Sequence, residues 1–119
     1  LPVWVKGNAY FNGAKPCKNE IHPFVDKEHT VTVELTERDG KPCLSTNLYQ
    51  FLRGFAAGMV DSDALGRAFE PEERFENPDG TSITFDRDYF GAHRGEQVLP
   101  GPFASGDEAG ERLWLLDLE

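Results

Sequence analysis

The stretch His29-Thr30-Val31-Thr32-Val33-Glu34-Leu35-Thr36 sets Val31, Val33 and Leu35 at every second position, with polar residues between them. Successive side chains of an extended strand point to opposite faces, so this two-residue period belongs to a half-buried strand. Arg38-Asp39-Gly40-Lys41 follows. Asp-Gly favours a tight turn between antiparallel strands, because Gly tolerates the positive φ the turn demands. Leu44, Thr46 and Leu48 then resume the alternation. The chain from His29 to Leu48 is thus expected to form a β-hairpin. Pro42 has no backbone N–H and belongs at a strand start or on an edge.

Outward from the hairpin the strand signals are shorter. Val3-Trp4-Val5 and Ala9-Tyr10-Phe11 read as an opening strand broken near Gly7-Asn8. Asn77-Pro78-Asp79-Gly80 is a turn, and the following Thr81-Ser82-Ile83-Thr84-Phe85 reads as a strand with Ile83 and Phe85 inward. Arg112-Leu113-Trp114-Leu115-Leu116-Asp117-Leu118 is a dense apolar run, expected to be a strand buried on both faces. Asp61 is placed to cap one short helical turn that Gly66 ends. No segment sustains a helical apolar period. Between Gly66 and Gly110 the chain is rich in turn residues yet contains Phe69, Phe75, Phe85, Tyr89, Phe90 and Phe103. These rings are expected to anchor long ordered loops in the core. The expected fold is all-β: a single antiparallel, immunoglobulin-like β-sandwich over residues 1–119, with roughly 6–8 short strands.

Composition narrows the function. A chain of 119 residues suffices for one core. Lys and Arg number 12 against 21 Asp and Glu, a net charge of −9. That balance disfavours nucleic acid and anionic membranes as partners, since both require a cationic face. The apolar runs are too short for a transmembrane helix. Cys17 and Cys43 lack metal-binding spacing; free, at least partly buried thiols are the expectation, with a disulfide between them as the alternative. The chain starts at Leu1, which suggests a processed product or a piece of something longer.

The chemical constellations are sparse. His22, His29 and His93 have no metal-ligand spacing. Asp61 with Asp63, and Asp86 with Asp88, could supply oxygen ligands to Ca²⁺, but a helix cap and a turn explain them at least as well. Among 21 acids some pair lies close by chance, so paired carboxylates carry no glycosidase signal. There is no GxSxG elbow and no phosphate-binding loop. No catalytic residue and no cofactor are therefore expected. Exposed aromatic faces can stack on pyranose rings, and Tyr89, Phe90 and Trp4 are the candidates; core packing is the competing role for each.

Two sets of residues carry a resemblance. One is Asn8-Ala9-Tyr10-Phe11-Asn12-Gly13-Ala14-Lys15-Pro16 with Asn19-Glu20. The other joins Leu65-Gly66, Phe75-Glu76-Asn77-Pro78-Asp79-Gly80-Thr81, Asp86-Arg87-Asp88-Tyr89-Phe90-Gly91, Arg94 and Pro100-Gly101-Pro102-Phe103. Together they resemble the β-sandwich domain inside bacterial glycosidases built on a parallel β-helix, in particular the β-xylosidases of glycoside hydrolase family one hundred and twenty. The resemblance implies a bacterial parent enzyme, expected in the cytoplasm, that retains configuration while acting on xylo-oligosaccharides. Its catalytic carboxylates would lie on the β-helix core, outside this chain. This chain would be an accessory domain that packs on that core, shapes a rim of the opening for xylo-oligosaccharide, or contributes to subunit contacts. An autonomous carbohydrate-binding module and a purely structural or protein-interaction sandwich are the alternatives.

Overall fold

The computed structural model describes residues 3–104 and the backbone of residues 112–115. The fold is all-β, with its strands in two small sheets and almost no helix. The first sheet pairs β1 (Ala9–Tyr10) with β2 (Phe24–Val25), in parallel. The second holds β3 (Val33–Arg38), β4 (Lys41–Thr46) and β5 (Arg112–Leu115) in that order, all antiparallel. The first sheet corrects the all-antiparallel expectation. Its bonds run between Gly7 N–H and Ile21 O, Ile21 N–H and Val5 O, Phe24 N–H and Asn8 O, and Asp26 N–H and Tyr10 O. One carboxylate steadies this crossover: Glu20 accepts from the Asn8 backbone at 3.1 Å, from the Asn8 amide at 2.8 Å and from the Tyr10 hydroxyl.

The hairpin forms as its sequence demands. Arg38 faces Lys41 in register, which leaves Asp39 and Gly40 as a two-residue turn with φ of 53° and 76°. Positive φ at both central positions is the geometry whose twist matches paired strands. Two expectations are corrected here. Strand β3 begins at Val33 rather than at His29, because side-chain amides already take the preceding backbone groups. Asn12 accepts from Val31 N–H and donates to Val31 O, both at 2.8 Å. Asn47 accepts from Thr32 N–H and donates to Thr30 O. Moreover, β3 is a sheet edge with Val33 and Leu35 65% and 69% exposed, whereas Cys43, Ser45 and Thr46 on β4 are buried.

After β4 a 3₁₀ turn, Leu48–Leu52, drives Tyr49 and Leu52 into the interior. There they meet Phe11, Phe55 and Phe103 to form the core, with Phe24, Leu44, Phe51 and Leu99 packed around it. The short helix α1 (Ser62–Leu65) is capped by Asp61, which accepts from Ala64 N–H, and it stops at Gly66 as expected. Ser62 is 1% exposed. Its hydroxyl donates to Phe75 O at 2.6 Å and accepts from Ile83 N–H at 2.7 Å, tying three segments together.

The aromatic loop region departs from expectation. Residues 81–85 make isolated bridges, Glu76 to Ser82 and Asp61 to Thr84, instead of a strand. Phe103 is buried, but Phe69, Phe75, Phe85, Tyr89 and Phe90 are 42–65% exposed. A turn-rich chain has no continuous sheet to lay over such rings, so they stay at the surface. Val3-Trp4-Val5 is likewise not a strand, and Trp4 is 49% exposed. Both cysteines are free; Cys43 is buried as expected, whereas Cys17 is exposed, which corrects its expected partial burial. The expected double-sided burial of residues 112–118 lies outside the described side chains.

Candidate functional site

Of the aromatic candidates, the fold brings Tyr89 and Phe90 together and leaves Trp4 apart. Their rings meet edge to face at 5.1 Å between centroids. Both reach Phe103 underneath: Phe90 stacks on it at 5.5 Å, and Tyr89 meets it at 6.1 Å. Phe103 in turn contacts Tyr49 of the core at 6.3 Å. A ladder of rings thus runs from the interior to the surface, and its outer two members remain more than half exposed. No ring contact joins Trp4 to them among the described residues. The arrangement offers a supported apolar face of the kind that stacks against the C–H face of a pyranose.

Asp88 fixes this loop. Its Oδ1 accepts from Phe90 N–H at 2.9 Å and Ala92 N–H at 2.8 Å, and its Oδ2 accepts from Ala104 N–H at 3.0 Å. The Ala104 bond leads in holding its carboxyl below the usual range against partial burial, helped by Ala92, Phe90 and the Arg94 charge. Tyr89 N–H donates to Pro102 O at 2.8 Å, which ties the loop to the Phe103 segment.

The calcium candidates are spent on local bonds. Asp61 caps α1, and Asp63 pairs with Arg74 at 2.8 Å. Asp86 lies 3.4 Å from His93 Nε2, and Asp88 serves the loop just described. Among the described residues no group of three metal-ligating side chains converges.

A groove of about 460 Å³ escapes a residue-by-residue reading. Lys6 and Asn8 come to it from one end of the chain, Phe85, Arg87 and Arg94 from the aromatic loops, and Val98 to Gly101 from beyond. No local pattern marks these residues, which lie up to 95 positions apart, from Lys6 to Gly101.

No family model and no curated protein matches this chain. The complex structure of XylC with xylose contains a region similar to it, with a TM-score of 0.81 and 27% sequence identity. The similarity covers 96% of this chain and 18% of that one, so this chain spans less than a fifth of the XylC length.

Proposed function

We propose that this chain is a non-catalytic accessory domain of a carbohydrate-active enzyme of the β-xylosidase type, whose reacting carboxylates lie elsewhere in the parent protein. The observation that carries the reading is the likeness of nearly the whole chain to a small part of a protein solved with xylose. The sequence resemblance points the same way. In this reading residues 1–119 are one domain, its two sheets are the layers of an immunoglobulin-like β-sandwich, and it packs on a parallel β-helix core.

Surface chemistry supports an accessory role. Among the described residues, eleven large apolar side chains are exposed while seven apolar residues are buried. Scattered apolar residues are ordinary on a surface, whereas clusters of rings mark places where something else sits. A parent core accounts for Val33 and Leu35 on the β3 edge; a xylo-oligosaccharide at the rim accounts for Tyr89 and Phe90.

Purified as it stands, the chain is expected to show no turnover of nitrophenyl xyloside. Clear turnover by a homogeneous sample overturns the non-catalytic assignment. The half-exposed Tyr89–Phe90 pair favours a second reading, an autonomous carbohydrate-binding module. Titration with xylotriose separates the two: fluorescence changes lost in Tyr89→Ala favour the module, and a folded chain that does not respond favours the accessory role.

A further inference from the structure

The groove between Lys6–Asn8 and the aromatic loops has a charge opposite to that of the chain. Its lining includes Lys6, Arg87 and Arg94 and no Asp or Glu, although acids outnumber cations 21 to 12 in the sequence. At the chain's average acid content, its 14 lining residues would include about two or three carboxylates. The nearby acids do not line it and have bonds of their own: Asp86 lies 3.4 Å from His93, Asp88 accepts from three backbone N–H groups, and Glu20 accepts from Asn8 and Tyr10.

The three cations are differently committed. Arg94 is a brace, donating from Nε to Arg87 O at 3.1 Å, from one terminal nitrogen to Leu99 O at 3.3 Å and from the other to Gly101 O at 2.9 Å. Its charge is thereby held in place beside the groove. Arg87 spends one weak bond on Gly91 O at 3.3 Å, and its side chain makes no other bond among the described residues. Lys6 has its backbone bridged to Ile21 and no ion-pair partner among the described residues. Most of the other lining is apolar, and the Phe85 ring, 56% exposed, provides a flat face. A volume of 460 Å³ falls in the range of small-molecule sites.

We propose that this groove binds a sugar acid, with its carboxylate between Lys6 and Arg87 and its ring against Phe85. Guanidinium and ammonium groups that lack an internal counter-ion gain most from a carboxylate, and charge-assisted bonds to it are the stronger kind. The ring face asks for a ligand with a C–H surface, and the Asn8 carboxamide oxygen and nearby backbone carbonyls can accept from hydroxyls. The choice of a sugar over other carboxylates rests on the carbohydrate reading above; the charge complementarity does not.

The test is titration of the isotopically labelled 119-residue chain with D-glucuronate, followed by amide shifts, with D-glucose and acetate as controls at matched ionic strength. Glucuronate is expected to move amides of Lys6 to Asn8, Phe85 to Arg87 and Val98 to Gly101 at concentrations where both controls are silent. Lys6→Met and Arg87→Gln are each expected to weaken it about tenfold, the loss of one charge-assisted bond. Added salt should weaken it in the unaltered chain as well, so the charge dependence can be read even if a variant misfolds. Equal binding of glucose, equal binding of acetate, shifts elsewhere, or indifference to salt each overturns the proposal. Xylotriose acting at Tyr89 while glucuronate is silent would defeat the groove assignment alone and leave the carbohydrate reading standing.

Discussion

Replacing Ser62 by Ala removes a single oxygen, yet that oxygen sits where three stretches of chain meet. It is buried at 1% exposure, donates to Phe75 O at 2.6 Å and accepts from Ile83 N–H at 2.7 Å. In Ser62→Ala the Ile83 N–H and the Phe75 carbonyl both lose their partner, while the neighbouring backbone pairing, Ser62 N–H to Ile83 O, still holds Ile83 close. Leaving one buried polar group unpaired costs about 1–3 kcal/mol. Some relief comes from water reaching Phe75, which is 42% exposed. The expected loss is therefore about 2–4 kcal/mol. For a chain of this size 1 kcal/mol is worth about 4 °C, so the melting temperature should fall by about 8–16 °C. Urea denaturation with an unchanged m-value gives the free energy, and hydrogen exchange at Ile83 gives the location. A loss below about 0.5 kcal/mol, of the size of an ordinary surface substitution, with Ile83 still protected, would refute the argument that this hydroxyl ties the loops.

Other outcomes follow from single observations. Gly7 has φ of +70°, and a Cβ there would lie 2.7 Å from the Ala57 carbonyl oxygen, so Gly7→Ala should cost about 2–4 kcal/mol in denaturation. Phe103→Ala should cost about 3–5 kcal/mol because the ring is 5% exposed. Phe75→Ala should cost less than half of that at 42% exposure, and equal losses by calorimetry would contradict the burial difference. Hydrogen bonds hold four carboxyls below their usual range: Asp26 by His29, Asp79 by Thr81, Asp88 by Ala104, and Glu20, where partial burial opposes bonds from Tyr10 and Asn8 that outweigh it. Their stabilisation is present above about pH 4–5 and is lost as acidification passes the lowered values. At the other end, the bond to Glu20, reinforced by partial burial, pushes the Tyr10 hydroxyl up to about 12. That contribution is complete below about pH 10 and fades as pH rises through the folded value. A melting temperature that holds steady from pH 5 to strong acid would contradict the carboxylate network.

How much of this was legible from the sequence depended on how far apart the cooperating residues lie. Asp39-Gly40, Asn77-Pro78-Asp79-Gly80 and the Asp61–Gly66 helical turn are each closed by bonds among near neighbours, and the sequence determined all three. It also determined that strands dominate, because alternation is a property of one segment. Tertiary structure decided the rest. The parallel pairing of β1 with β2, the clamping of residues 30–32 by Asn12 and Asn47, and the convergence of Lys6 with Arg87 and Arg94 all join distant positions. Summing charge over the chain gave −9 and concealed a cationic groove, because a net charge has no spatial coordinate. Which rings are buried was decided in the same way: Phe103 packs against Tyr49 of the core, while Phe69 and Phe85, no less apolar, stay 65% and 56% exposed, since burial depends on what the rest of the fold brings against a side chain.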